Sequence, residues 1–255
     1  MILDTEKMTF DKLIGESAAF KKQIEIAKKA AQVDAPVLIT GETGTGKELF
    51  AKTIHCRSAR GKRPYVAENC GAVPRELVES VFFGTQRGAF TQAVSKAGLF
   101  EMADGGSLLL DELNSMPPDL QPKLLRALQE GVVRRLGGTR EIHFDVRMMA
   151  AMNESADAVL QQGRLRRDLF YRLNVIPIRI PPLRERREDI PLYAEYFLEK
   201  FNRKYHKRLE GFHFDAIAEL KQRSFPGNVR ELENLVEAAV LMCSGTGMIG
   251  ISDLF

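Results

Sequence analysis

The chain has 255 residues, 44% of them hydrophobic and 28% charged, with a formal net charge of +3. That length supports one large core or a core with a small satellite domain, and the charge permits contact with nucleic acid without arguing for it, since no basic block stands out. Cys56, Cys70 and Cys243 are too scattered for a disulfide framework or a zinc site, no apolar run approaches the ~18 residues of a membrane span, and the N-terminus lacks a signal-peptide pattern, so the expected location is the cytoplasm with no membrane contact.

In chain order, Val37 to Thr40 reads as a short buried strand, and Glu48 onward as a helix with Leu49, Phe50, Thr53 and Ile54 on one side. Between them runs a glycine-rich loop: Gly41, Glu42, Thr43, Gly44, Thr45, Gly46 and Lys47. Strand, loop and helix in this order predict a nucleoside triphosphate site. Backbone N–H groups at a helix N-terminus have no intrahelical partner, and the helix dipole adds to their pull on phosphate. The glycines let the backbone approach the phosphates, and Lys47 supplies a charge for the β and γ groups. Glu48 stands where the generic GxxxxGK[ST] pattern has the hydroxyl that reaches Mg²⁺. A metal ion must then be held by other groups or through water.

Further along, Tyr65 to Glu68 and Ser107 to Leu110 read as buried strands, the second running into adjacent carboxylates, Asp111 and Glu112. Side chains alternate along a strand, so neighbours at its end diverge and can take different tasks. Asp111 is the natural Mg²⁺ partner, and Glu112 can orient and polarise the attacking water. A helical pattern follows on Leu120, Leu124, Leu125 and Leu128, then a strand from Val146 to Ala151. The basic segment with Arg164, Arg166, Arg167 and Arg172 offers cations for a γ-phosphate, although residue physics alone does not separate a catalytic arginine from a surface one. A strand from Val175 to Ile180 ends at Pro181 and Pro182. From there strands are expected to cease, with helices at about 188 to 203, 213 to 223 and 228 to 243, the last started by Asn228 and carrying Val229, Leu232, Val236, Ala239 and Val240 on one side. The mixed run from Arg203 to Arg208 reads as a solvated helix end. Alternating strands and helices predict an α/β fold with a parallel sheet covered on both faces, and ligands at the carboxyl ends of its strands.

Several blocks in fixed order carry a resemblance: LIGES at 13 to 17, GETGTGKE at 41 to 48, NCGAVP at 69 to 74, FGTQRGAFTQA at 83 to 93, ADGGSLLLDE at 103 to 112, GRLRRDLFYRLNV at 163 to 175, PPLRERREDI at 181 to 190 and FPGNVRELEN at 225 to 234. From about Phe10 to Leu241 the chain resembles the central ATPase domain of the bacterial sigma-54-dependent transcriptional activators, or bacterial enhancer-binding proteins, a branch of the AAA+ superfamily. The resemblance implies an AAA+ P-loop NTPase with a five-stranded parallel sheet over residues 1–181 and a small helical lid over residues 182–255. It implies Mg²⁺-dependent hydrolysis of ATP by a homo-oligomeric ring, a hexamer, whose sites are completed in trans.

Residue by residue, the resemblance makes Glu48 the family's usual residue after the loop lysine, with Leu49 beside it in the nucleotide-binding set. Asn69 matches the residue that restrains Glu112, the Walker B glutamate, until a partner is sensed. Asn153 matches sensor I, although Met152 replaces the commoner Thr beside it. Arg166 and Arg172 match the arginines supplied to a neighbour's ATP, and Arg230 matches sensor II. Ile14 and Gly15 match the segment against adenine. Gly88, Ala89, Phe90, Thr91, Gln92 and Ala93 match the GAFTGA loop that engages the sigma-54 factor of RNA polymerase, with Gln92 in place of the second glycine; Thr85, Gln86 and Arg87 also depart from the common His-Glu-Lys. Gln92 keeps open an alternative, a nucleotide-dependent regulator that does not remodel sigma-54. Full-length relatives usually add a sensory domain and an enhancer-binding helix-turn-helix, so the expectation is an excised ATPase core whose DNA contact lies mainly in a domain outside these residues.

Overall fold

The computed structural model describes residues 8–89, 94–244 and 246–254. They form two compact units: 8–10, Ile26–Thr40 and Lys47–Arg179 in the first, and Asp11–Glu25, Gly41–Gly46 and 180–254 in the second. A division by chain position alone does not express this, because the glycine-rich loop groups with the C-terminal helices.

From the N-terminus, α1 (Ala18–Ala31) precedes β1 (Val37–Thr40), and α2 (Lys47–Cys56) precedes β2 (Tyr65–Asn69). Helices α3 (Arg75–Phe83) and α4 (Leu99–Met102) come before β3 (Ser107–Asp111), and α5 (Gln121–Glu130) before a hairpin of β4 (Val132–Val133) and β5 (Ile142–His143). The first unit closes with β6 (Arg147–Met152), α6 (Ala156–Gln161), α7 (Arg167–Leu173) and β7 (Ile176–Arg179). Its sheet is five-stranded in the order β2-β3-β6-β1-β7, and every pairing is parallel. The central strands β1, β3 and β6 are covered on both faces, so they tolerate no polar alternation. The edge strands are only partly buried, and the expectation of a buried strand at Tyr65 to Glu68 is corrected accordingly, since an edge strand has a neighbour on one side alone. Leu108, Leu109 and Leu110 are accordingly fully buried in β3, and Met149, Ala150 and Ala151 in β6. The register sets Asn69 of β2 opposite Asp111 of β3, at the carboxyl ends of both strands.

Helix α2 departs from the expected face in one place: Phe50, Thr53 and Ile54 are buried, but Leu49 is exposed. The buried positions Phe50, Thr53 and Ile54 follow i, i+3, i+4 spacing, and Leu49 sits one residue outside that stripe.

The second unit contains α8 (Ile190–Tyr205), β8 (Arg208–Phe212), α9 (Phe214–Gln222), α10 (Asn228–Met242) and β9 (Thr246–Ile249). Tyr193, Phe197 and Phe201 recur at i, i+4, i+8 along α8, with successive ring centroids 6.0 and 6.4 Å apart. On α10, Leu232, Val236, Ala239 and Val240 face the same core. The expectation that strands cease after Pro182 is corrected here: β8 and β9 pair in parallel. A bulge between Leu209 and Gly211 puts two residues, Glu210 and Gly211, between the buried Leu209 and Phe212, which removes the period-two signal that marks a strand in sequence. The run from Arg203 to Arg208 is the exposed end of α8 and the residues after it, as expected, with Arg203, Lys204, His206 and Arg208 open to solvent; Lys204 pairs with Glu237, and the Lys207 Nζ donates to the Leu241 carbonyl near the end of α10.

Candidate functional site

In the first unit the acids predicted from GGSLLLDE sit where β3 ends. Asp111 is the last strand residue, and its Oδ1 accepts from the Glu112 N–H at 2.9 Å. Glu112 has already left the strand, with φ 50° and ψ 45°. A left-handed backbone is uncommon for a residue with a side chain. The Glu112 carboxylate comes to lie over Gly71: a Cβ on Gly71 would be 2.7 Å from Glu112 Oε2 and 3.3 Å from Asn69 Oδ1. Asn69 turns its Oδ1 onto its own loop, accepting from the Gly71 N–H at 2.8 Å and the Ala72 N–H at 3.2 Å. Gly71 is thus the shared floor under Asn69 and Glu112.

Asn153 follows β6, and its Oδ1 accepts from Asn114 Nδ2 at 3.0 Å. Arg166 stands at the start of α7 with an exposed side chain folded onto Asp168, through Nε at 3.1 Å and Nη2 at 2.8 Å. That pairing holds the Asp168 carboxyl below the usual carboxylate range. Arg172, also exposed, donates from Nη2 to the Leu128 carbonyl at 3.0 Å.

In the second unit the glycine-rich loop is held by residues that the sequence reading assigned no site role. Glu42 makes a two-pronged ion pair with Arg184, at 2.7 and 2.6 Å, and the Arg184 guanidinium keeps its carboxyl below the ordinary glutamate value. Asn228 is fully buried with a left-handed φ of 54°. Its Oδ1 accepts from the Leu183 N–H at 2.8 Å, and its Nδ2 donates to the Thr43 carbonyl at 3.0 Å and Glu42 Oε2 at 3.2 Å. The Val229 N–H donates to the Gly44 carbonyl at 3.1 Å, and Thr45 Oγ1 to the Glu42 carbonyl at 2.7 Å. Gly44 has φ +79°, and a Cβ there would meet the Gly227 carbonyl oxygen at 2.1 Å and Arg230 Cβ at 3.1 Å. Arg230 therefore starts beside the loop, with its side chain exposed. Lys47 follows Gly46 directly as the first residue of α2 and is largely buried; Glu48 and Leu49 are exposed.

Ile14 packs on the core of the second unit. Beside it Gly15 is hemmed in, with a built Cβ 2.4 Å from the Phe20 ring and 3.0 Å from Asp189 Oδ2. Asp189 is fully buried and accepts from the Glu16 and Ser17 N–H groups at 2.7 and 2.9 Å and from Ser17 Oγ at 2.8 Å. Arg186, equally buried, lies over the Phe20 ring at 4.4 Å and donates to Tyr193 Oη at 3.2 Å. In the sequence Arg184, Arg186 and Asp189 are part of one charged run, RERRED, with no pattern to say that two of the six are fully buried. Asn228 read as a helix starter; its side chain caps nothing and instead reaches the loop.

The described residues contain no group of three or more His, Cys, Asp or Glu able to hold a metal ion. A single strand-end carboxylate, Asp111, is the donor set that suits Mg²⁺ carried by phosphate oxygens and water, because Mg²⁺ usually keeps several waters and takes only one or two protein carboxylates. Of the loop residues at 88 to 93, Gly88 has φ +88° and the Ala89 N–H donates to the Gln86 carbonyl at 3.1 Å. Phe90, Thr91, Gln92 and Ala93 lie outside the described residues.

A family model described as the Sigma-54 interaction domain matches residues 13–179, and one described as the AAA+ ATPase lid domain matches residues 184–255. The chain is 50% identical over 232 residues to the transcriptional activator RocR of Bacillus subtilis, covering 91% of this chain and 50% of RocR. It is 49% identical over 238 residues to a Nif-specific regulatory protein of Sinorhizobium fredii, covering 92% of this chain and 40% of that protein. Crystal structures of NtrX from Brucella abortus in complex with ATP and with ADP superpose with a TM-score of 0.88 at 34% identity; the match to the ATP complex covers 96% of this chain and 56% of NtrX. The chain spans about half the length of the curated relatives it matches.

Proposed function

The chain belongs to the sigma-54 interaction domain family, with an AAA+ fold and lid, and from that membership we propose that it is an ATP-hydrolysing core that remodels closed complexes of sigma-54 RNA polymerase so that promoter DNA opens. The observation that carries the reading is the left-handed backbone of Glu112 at the end of β3, with its carboxylate over Gly71 beside Asn69, while Asp111 holds the last strand position. Two acids one residue apart can then do two jobs.

Phosphoryl transfer needs positioning and charge stabilisation more than covalent chemistry. Loop amides from Gly41 to Gly46 and the Lys47 ammonium bind the phosphates, and Glu48 and Leu49 continue that contact into α2. Mg²⁺, when bound, neutralises charge on the β and γ oxygens, and Asp111 is the residue that would hold it. Glu112 orients the attacking water, and Asn69 restrains Glu112 until a partner is engaged. Asn153 senses the γ-phosphate. Arg230 reaches the nucleotide of its own subunit, Ile14 and Gly15 lie against adenine, and Arg166 and Arg172 act on the ATP of a neighbour in a hexameric ring. Residues 88 to 93 then deliver the stroke to sigma-54, and contact with enhancer DNA belongs to a domain outside these residues. Supporting the trans role, both arginines are exposed on the first unit.

Three measurements test this reading. Turnover per subunit should fall on dilution through the range where rings dissociate, and Arg166→Ala should lose about 10³ to 10⁵ in rate, as arginine fingers do elsewhere. Incubation with ADP and aluminium fluoride should capture sigma-54 in a stable complex. Flat specific activity on dilution would remove the shared site, and failure to capture sigma-54 would remove the remodelling role.

A further inference from the structure

Within the first unit, the turn that follows the Walker B acids is bonded to the segment that presents Arg166. Asn114, two residues after Glu112, is only 6% exposed. Its Nδ2 donates both to Asn153 Oδ1 and to Glu154 Oε1, each at 3.0 Å. Glu154 is in turn gripped by Arg164, with Nη1 on Oε1 at 2.7 Å and Nη2 on Oε2. A second link runs in parallel. Gln121, 1% exposed, donates from Nε2 to the Met116 carbonyl at 3.1 Å and the Arg164 carbonyl at 2.8 Å, and its Oε1 accepts from the Arg166 N–H at 2.8 Å. The backbone on both sides of the buried Leu165 is thereby tied to the turn that leaves Glu112.

We propose that Asn114 is a positioning residue that carries the state of the Walker B turn, through Glu154 and Arg164, to the placement of Arg166. The inference rests on Arg166 acting on a neighbour's ATP. One amide nitrogen here serves two acceptors on adjacent residues, one the sensor I side chain and the other the carboxylate that holds Arg164. Asn114 Oδ1 is buried without a partner among the described residues, so the orientation of the amide is set by its donor side. Hydrogen bonds that share partners polarise and orient one another, so a chain from the buried Asn114 to the half-exposed Glu154–Arg164 pair is coupled along its length. A shift of the turn when Glu112 changes partners is therefore passed along these bonds to residue 164, two residues from the finger. Neither Asn114 nor Arg164 touches nucleotide in this scheme. Both act through another side chain.

The test uses Asn114→Asp, which keeps size and shape but sets a carboxylate against Glu154 and the Asn153 carbonyl. We expect kcat for ATP about tenfold lower, equivalent to about 1.4 kcal/mol of transition-state stabilisation, with KM and the protein concentration for half-maximal turnover unchanged. The double variant Asn114→Asp, Glu154→Gln gives the new carboxylate a donor and should recover most of the loss. Arg164→Gln cuts the line at a half-exposed position and should lower kcat in the same direction, which keeps the test available if Asn114→Asp folds poorly. Raised KM at unchanged kcat, no recovery in the double variant, or wild-type turnover in Arg164→Gln would each overturn the relay. Arg166→Ala run alongside separates the two readings: if it keeps wild-type turnover, the trans arginine and the relay both fall; if it is inactive while the Asn114 and Arg164 variants are normal, only the relay falls.

Discussion

Replacing Asn228 by Ala should destabilise the second unit by about 4 kcal/mol, a large effect for one small polar side chain. Three contributions add. The Leu183 N–H loses the Oδ1 acceptor at 2.8 Å in a fully buried setting, and an unsatisfied buried donor costs roughly 1–3 kcal/mol, about 2 at mid-range. Loss of the Nδ2 bonds to Thr43 and Glu42 removes about 1 kcal/mol more, since Glu42 keeps its two bonds to Arg184. Alanine at φ 54° gives up the local tolerance of Asn for left-handed backbone, about 1 kcal/mol. Glycine at 228 recovers only the last contribution, so Asn228→Gly should lose about 3 kcal/mol. Urea unfolding of the purified chain supplies the stabilities, and a fluorescent ATP analogue reports whether the loop weakens with them. The reasoning fails if Asn228→Ala lies within about 1 kcal/mol of wild type, or if the glycine variant is no more stable than the alanine one.

Gly44→Ala should misplace the phosphate loop by about 1 Å, because a Cβ 2.1 Å from the Gly227 oxygen must retreat to an ordinary C···O separation of about 3.3 Å. A displacement of that size costs about a hundredfold in kcat/KM; steady-state ATPase assays that show less than a fivefold change would contradict it. His55 is fully buried with Nδ1 on Ser107 Oγ at 2.9 Å, and burial lowers its pKa from 6.5 to about 4. Below pH 6.5 the unfolded chain takes up a proton that the folded chain refuses, so stability falls as pH drops from 6.5 to about 4, by about 3 kcal/mol in all. Urea unfolding across that window should show the slope in wild type and lose it in His55→Asn; equal slopes would place the proton elsewhere.

Much of this was legible in the chain. Buried strands announce themselves as apolar runs, which is why β1, β3 and β6 at the centre of the sheet, and the acids at the carboxyl end of β3, could be read directly. The three lid helices follow apolar spacing and were equally plain. What sequence could not carry is long-range pairing by polar side chains. Arg184 and Glu42 are far apart in the chain, and RERRED looks like a solvated charge run until the fold buries Arg186 and Asp189. Asn228 obeys helix-start statistics while doing something else with its amide. β8 escaped because its bulge erased the alternation, and the positive φ of Glu112 has no signature beyond the residue's name.

The grouping of Gly41–Gly46 with the C-terminal helices bears on how this loop should be treated in engineering. Its glycines permit many shapes, and the one adopted is imposed by Arg184, Asn228 and the Gly227 backbone. GETGTGKE is therefore not a portable cassette: grafted onto another strand and helix without its FPGNVRE and LRER partners, it would keep the letters of a phosphate loop and lose the conformation that gives them meaning.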